Sequence, residues 1–159
     1  MTVETKKVEG RRTVHYDTFD DLLADAERLG SCEVKTLGNW SLGQIQKHLA
    51  TAFECSIDGF PSNLPAPVRL IFRLAMKKRF LTRPLPAGFQ LPKKAGALIP
   101  GETTAADGLS KLRGAIERLG AESNREPNPA LGPLTIVEWN ELHLRHAEMH
   151  MSFVVPVSD

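Results

Sequence analysis

Apolar positions recur along this chain at helical rather than alternating spacing. Leu22, Leu23, Ala26 and Leu29 form one stripe, with Thr18 three residues ahead of Asp21 as a capping start and Gly30 as a stop. A second helix is predicted from Leu42 to Ile57, opened by Ser41 and ended by Gly59 and Pro61. A third, from Ala105 to Leu119, carries Leu109, Leu112, Ile116 and Leu119 at bundle spacing, and Gly120 closes it. The fourth follows Pro133, has Thr135 as N-cap and Glu138 three residues later, and is predicted to reach Val154 before Pro156 ends it. Ahead of all four, Thr13 to Tyr16 reads as a short β-like segment within an N-terminal extended stretch, 1–17.

Four amphipathic helices predict an all-α fold, an antiparallel four-helix bundle in one domain over 1–159. The connection 59–104 between the second and third is long and holds seven of the eleven prolines. Most of it therefore reads as loop, decorating the bundle as a crossover. One amphipathic segment survives inside it, from Val68 to Leu81, which predicts an extra helix there.

Composition narrows the class. Hydrophobic residues are 42% and charged ones 25% of 159, close to the soluble globular average, which excludes disordered and collagen-like chains. The longest mostly apolar stretch, Val68 to Met76, is broken by Arg69 and Arg73 and is too short to span a bilayer. Cys32 and Cys55 make neither a disulfide framework nor a zinc-finger spacing. The first twelve residues lack the apolar core of a signal peptide, so a reducing cytoplasm is the expected location.

A formal net charge of +1 argues against a dedicated nucleic-acid binder. That mean conceals an uneven distribution. From Gly59 to Gly101 there is no acid, while Arg69, Arg73, Lys77, Lys78, Arg79, Arg83, Lys93 and Lys94 give the crossover +8 against −7 for the remainder. A basic amphipathic segment is a surface for anions, headgroups or a partner, unless its bases are solvated or paired with the acidic remainder.

The histidines carry the chemistry. Of five, His143, His146 and His150 crowd into the last helix; His150 lies about 40° round the helix from His146, and His143 about 60°. Trp139, Leu142, Met149 and Phe153 share that face, whereas Glu141, Leu144 and Glu148 are expected to point away. Imidazoles on an apolar stripe need partners. Two histidines four apart on a helix can direct nitrogens at one metal ion, with His48 of the second helix as a third ligand. A hydrogen-bonded core accounts for the same spacing without a metal. His15, beside Tyr16, reads as solvated or at a strand edge.

Two stretches bear a resemblance. Asn39-Trp40-Ser41-Leu42-Gly43-Gln44 followed by His48-Leu49-Ala50 resembles the second helix of the DinB superfamily of metal-binding four-helix bundles. Pro129 to Thr135, Glu138-Trp139 and then His143, His146 and His150 are similar to the last helix of its branch called domain of unknown function 1569. Arg11-Arg12, the Phe19 to Leu29 helix and the basic crossover fit that branch too, so the resemblance spans nearly the whole chain. It implies a DinB-like bundle in which His48, His146 and His150 bind a divalent metal, nickel or zinc, with His143 as an extra histidine, and it implies a homodimer. Where members commonly carry a second histidine next to the last ligand, this chain has Met149.

Three neutral imidazoles leave coordination positions open, as in catalytic rather than closed structural sites. Water or a thiol can be activated there, for transferase or hydrolase chemistry. The resemblance favours thiol transfer on a small molecule, anionic or a low-molecular-weight thiol, with His143 and Gln44 as candidate helpers. No acidic residue lies on the histidine faces to serve as a base. A non-catalytic metal-binding bundle, or a module that binds anions or a partner through the crossover, are the competing expectations.

Overall fold

The computed structural model describes residues 2–89, 91 and 93–157. Among them the chain is predominantly helical. The helices are α1 (Phe19–Gly30), α2 (Leu42–Asp58), α3 (Ala66–Thr82), α4 (Ala105–Ala121) and α5 (Ile136–Met151). Short 3-10 turns occupy Thr5–Lys7 and Lys93–Leu98, and two three-residue strands, β1 (Val34–Thr36) and β2 (Val154–Pro156), form one antiparallel pair.

Local chemistry explains the helix starts. Thr18 with Asp21, Ser41 with Gln44, and Thr135 with Glu138 each form a complete capping box, so two otherwise unpaired N–H groups are satisfied at each entry. Thr104 caps α4 through its hydroxyl, which accepts from the Asp107 N–H. Gly59, at φ 98°, turns the chain out of α2, a backbone region that other residues avoid.

Leu22, Leu29, Leu49, Phe53, Leu112, Leu119, Leu144 and Met151 belong to one buried cluster that joins α1, α2, α4 and α5. The α2–α4 crossing is especially close. A Cβ on Gly43 would stand 2.2 Å from the Thr103 carbonyl oxygen, and one on Gly108 2.5 Å from that of Gly43. Beneath α3, Leu131, Trp139 and Leu142 form a smaller core against Phe80 and Leu81. Trp139 stacks on Phe60 and donates its indole N–H to the Glu126 carbonyl.

Four expectations need correction. Thr13–Tyr16 is extended but belongs to no strand; the strands lie at Val34–Thr36 and Val154–Pro156, with Val34 opposite Pro156 and Thr36 opposite Val154. The last helix ends at Met151 instead of Val154, because β-branched Val154 and Val155 are taken into that ladder. α4 runs through Gly120 to Ala121, where no turn requires glycine's freedom. Finally, Leu144 and Glu148 do not face water. The N-terminal segment covers that side of α5: Tyr16 N–H donates to Glu148 Oε1 at 2.9 Å, and Arg145 donates to the Tyr16 carbonyl. Glu141 alone of the three is exposed. His15, with its side chain 60% exposed, reaches the same Glu148 at 3.0 Å.

Candidate metal centre

Three imidazoles meet where the middle of α2 faces the last two turns of α5. His48 Nε2 lies 3.3 Å from His146 Nε2, and His146 Nε2 lies 3.1 Å from His150 Nε2. One ligand atom from each residue falls within 4.8 Å of the others. Two imidazole nitrogens about 2.1 Å from one ion stand about 3.0 Å apart at a right angle and about 3.4 Å apart at the tetrahedral angle. The observed spacings lie within that interval.

His48 Nδ1 is 2.7 Å from the Leu98 carbonyl oxygen, which can only accept, so that nitrogen carries the proton and Nε2 presents a lone pair. If His146 Nε2 were protonated, it could donate to His48 or His150 but accept from neither. Three neutral rings crowded in this way share at most one useful hydrogen. A cation satisfies all three lone pairs at once, and the Leu98 carbonyl is the sort of outer acceptor that orients a ligating imidazole.

Electrostatics favour the neutral, ligating form. Burial lowers the pKa of His48. Burial, then the neighbouring imidazoles, lowers His146 and His150 well below the ordinary value. Arg11 adds to the effect on His150. Its guanidinium donates to the Met149 carbonyl and Ser152 hydroxyl and lies 4.1 Å over the Phe153 ring. Trp40 closes one side, stacked on His150 at 5.4 Å and 4.8 Å from the His48 ring centre. Among the described residues no carboxylate belongs to this cluster.

The expected helpers sit elsewhere. His143 is sandwiched between Phe53 and Trp139, with Nε2 3.0 Å from the Ser56 hydroxyl, and burial pushes its pKa down to about 3. Gln44 spends its carbonyl on the Ser41 N–H and donates its amide N–H to the Pro100 carbonyl. Cys55 packs beside Ala52, Ala95 and Leu98, and burial raises its thiol pKa. The crossover thus borders the centre through the backbone carbonyl of Leu98, while that of Pro100 ties it to Gln44. Sequence reasoning missed the Leu98 carbonyl, which has no side-chain signature, and the contact of Trp40, itself packed on the main core, with His48 and His150.

The family described as protein of unknown function (DUF1569) matches residues 8–157. The chain belongs to it. The match takes in all three convergent histidines of this DUF1569 member, together with Arg11, Trp40 and the crossover. No curated protein and no solved structure matches the chain.

Proposed function

We propose that this protein is a DinB-like four-helix bundle that binds one divalent ion, nickel or zinc, through His48, His146 and His150. The proposal extends to an enzyme of thiol-transferase type acting on a small molecule. The observation that carries it is the convergence of three Nε2 atoms at 3.1 and 3.3 Å, with the His48 tautomer set by Leu98. One ligand from the second bundle helix and two from the last is the arrangement that the DinB resemblance implies.

A divalent ion there supplies Lewis acidity and lowers the pKa of a water or thiol that binds beside it. The chain's own groups do the rest. Leu98 orients His48, and Trp40 shields the ring faces of His48 and His150 from solvent. Gln44 and His143 act as positioning residues: Gln44 holds the crossover at Pro100, and His143 holds α5 to Ser56 of α2. With Arg11 near His150 and no carboxylate in the cluster, the centre has no counterion of its own, which favours an anionic substrate.

The test is elemental analysis of protein purified without a metal-affinity tag, beside His48→Ala and His150→Ala. About one equivalent of nickel or zinc in the parent, lost in both variants, is the expected result. Metal well below one equivalent that added nickel or zinc does not restore would overturn the proposal. A second reading, an ion that merely fastens α2 to α5, is favoured by the placement of the ligands on two separate helices. Stripping a fastening ion causes a large loss of melting temperature, whereas stripping a catalytic one causes a small loss and abolishes turnover.

A further inference from the structure

α3 leaves apolar side chains in solvent on its outer face. None of its seventeen residues is buried. The side that leans on the body mixes apolar and basic residues: Phe80 and Leu81 pack on the smaller core, Arg73 donates to the carbonyls of Leu131 and Pro133, and Lys77 pairs with Glu138 at 2.5 Å. The solvent side carries Leu70, Ile71 and Leu74, which are 56%, 65% and 79% exposed. Ile71, Leu74 and Lys78 share one face at helical spacing, so the apolar ridge runs into exposed Lys78, with exposed Arg79 about 100° further round the helix. Arg83 follows at the helix end.

An apolar ridge so exposed calls for an occupant. We propose that the outer face of α3 docks on an anionic phospholipid surface, with Leu70, Ile71 and Leu74 entering the headgroup boundary and Lys78, Arg79 and Arg83 meeting the lipid charges. Charge complementarity selects this occupant. The segment 59–101 holds eight bases and no acid, so a second copy docked α3 to α3 would bring like charge against like. Among the described residues, Lys78, Arg79 and Arg83 have no carboxylate partner, unlike Lys77. Apolar residues beside a basic cluster on a helix lying flat on its domain are the composition of an interfacial helix. Among the described residues no helix is long and apolar enough to cross the bilayer. This inference is independent of the metal centre.

Flotation with vesicles tests it, using phosphatidylcholine alone and phosphatidylcholine with phosphatidylglycerol in equal parts. The protein is expected to float with the mixed vesicles only, and less so as salt is raised. Ile71→Asn with Leu74→Asn should abolish flotation. Lys78→Gln with Arg79→Gln and Arg83→Gln should weaken it by about fivefold per base. None of these side chains is buried, so circular dichroism and melting should match the parent and exclude misfolding. Three results would each overturn the proposal: no flotation with mixed vesicles, equal flotation of the apolar variant, or a parent dimer that the apolar variant converts to monomer. The last would assign the ridge to a second copy.

Discussion

His143 shows how much a single buried ring can govern. It lies between Phe53 and Trp139, and burial depresses its pKa from 6.5 to about 3. The native chain therefore refuses a proton that the unfolded chain accepts. Its contribution to stability is intact above about pH 6.5 and declines as pH falls towards 3, at about 1.4 kcal/mol per pH unit. His48, His146 and His150 shift in the same direction, so metal-free protein should lose stability steeply between pH 7 and pH 5. His143→Phe keeps an aromatic ring in the stack, and Ser56 retains its bond to the Phe53 carbonyl. Urea titrations in chelator should show a slope shallower by about 1.4 kcal/mol per pH unit for this variant. An unchanged slope would mean that the native ring is already protonated. At this scale the trio was legible in the sequence because ligand chemistry resides in side chains at countable positions. Glu148 was not, because its burial is decided by Tyr16 and Arg145, which meet only after the N-terminal segment has folded back.

Elements meet most tightly at the α2–α4 crossing, where Gly43 and Gly108 let two backbones approach. A Cβ on Gly108 would also stand 2.7 Å from the buried Gln46 carboxamide, and the backbone contact cannot yield by a rotamer change. Gly108→Ala is therefore expected to cost about 1–3 kcal/mol, or roughly 3–10 °C of melting temperature. Gly114, in the same helix, has nothing within 4 Å of a would-be Cβ. Gly114→Ala should be neutral or stabilising by up to about 1 kcal/mol, from helix propensity. Calorimetry on the pair distinguishes crowding from propensity. Helix positions could be read from the sequence because caps and apolar period agree along the chain. The strands could not: three residues are too few for a period, and Val154 continues the apolar stripe of α5 as naturally as it joins β1.

For the molecule as a whole, the trio links helices that are far apart in the chain. An ion that binds only the folded form adds stability by mass action, about 2.7 kcal/mol at a hundred times its dissociation constant. Titrating zinc or nickel into metal-free parent should raise the melting temperature by roughly 5–10 °C at that ratio. His150→Ala should show no such rise. Charge is also divided at this scale. The +8 crossover and the −7 remainder are joined at Lys77 and Glu138, yet Lys78 and Arg79 stay exposed on the outer helix. The imbalance was legible in the sequence, but the direction each α3 face takes was not. It depends on the carbonyls of Leu131 and Pro133 that accept from Arg73 and on the small core that takes Phe80 and Leu81.

The separation of 98 residues between His48 and His146 has a kinetic consequence. Contacts so distant along a chain form late, after local helices have already appeared. Cobalt or nickel held by three imidazoles in a fixed site has a visible spectrum distinct from that of the ion bound loosely to histidines of the unfolded chain. In a stopped-flow refolding experiment, that colour should lag the far-ultraviolet helical signal and mark the moment when α5 docks on α2. The histidines would then serve as a built-in clock for the last step of folding.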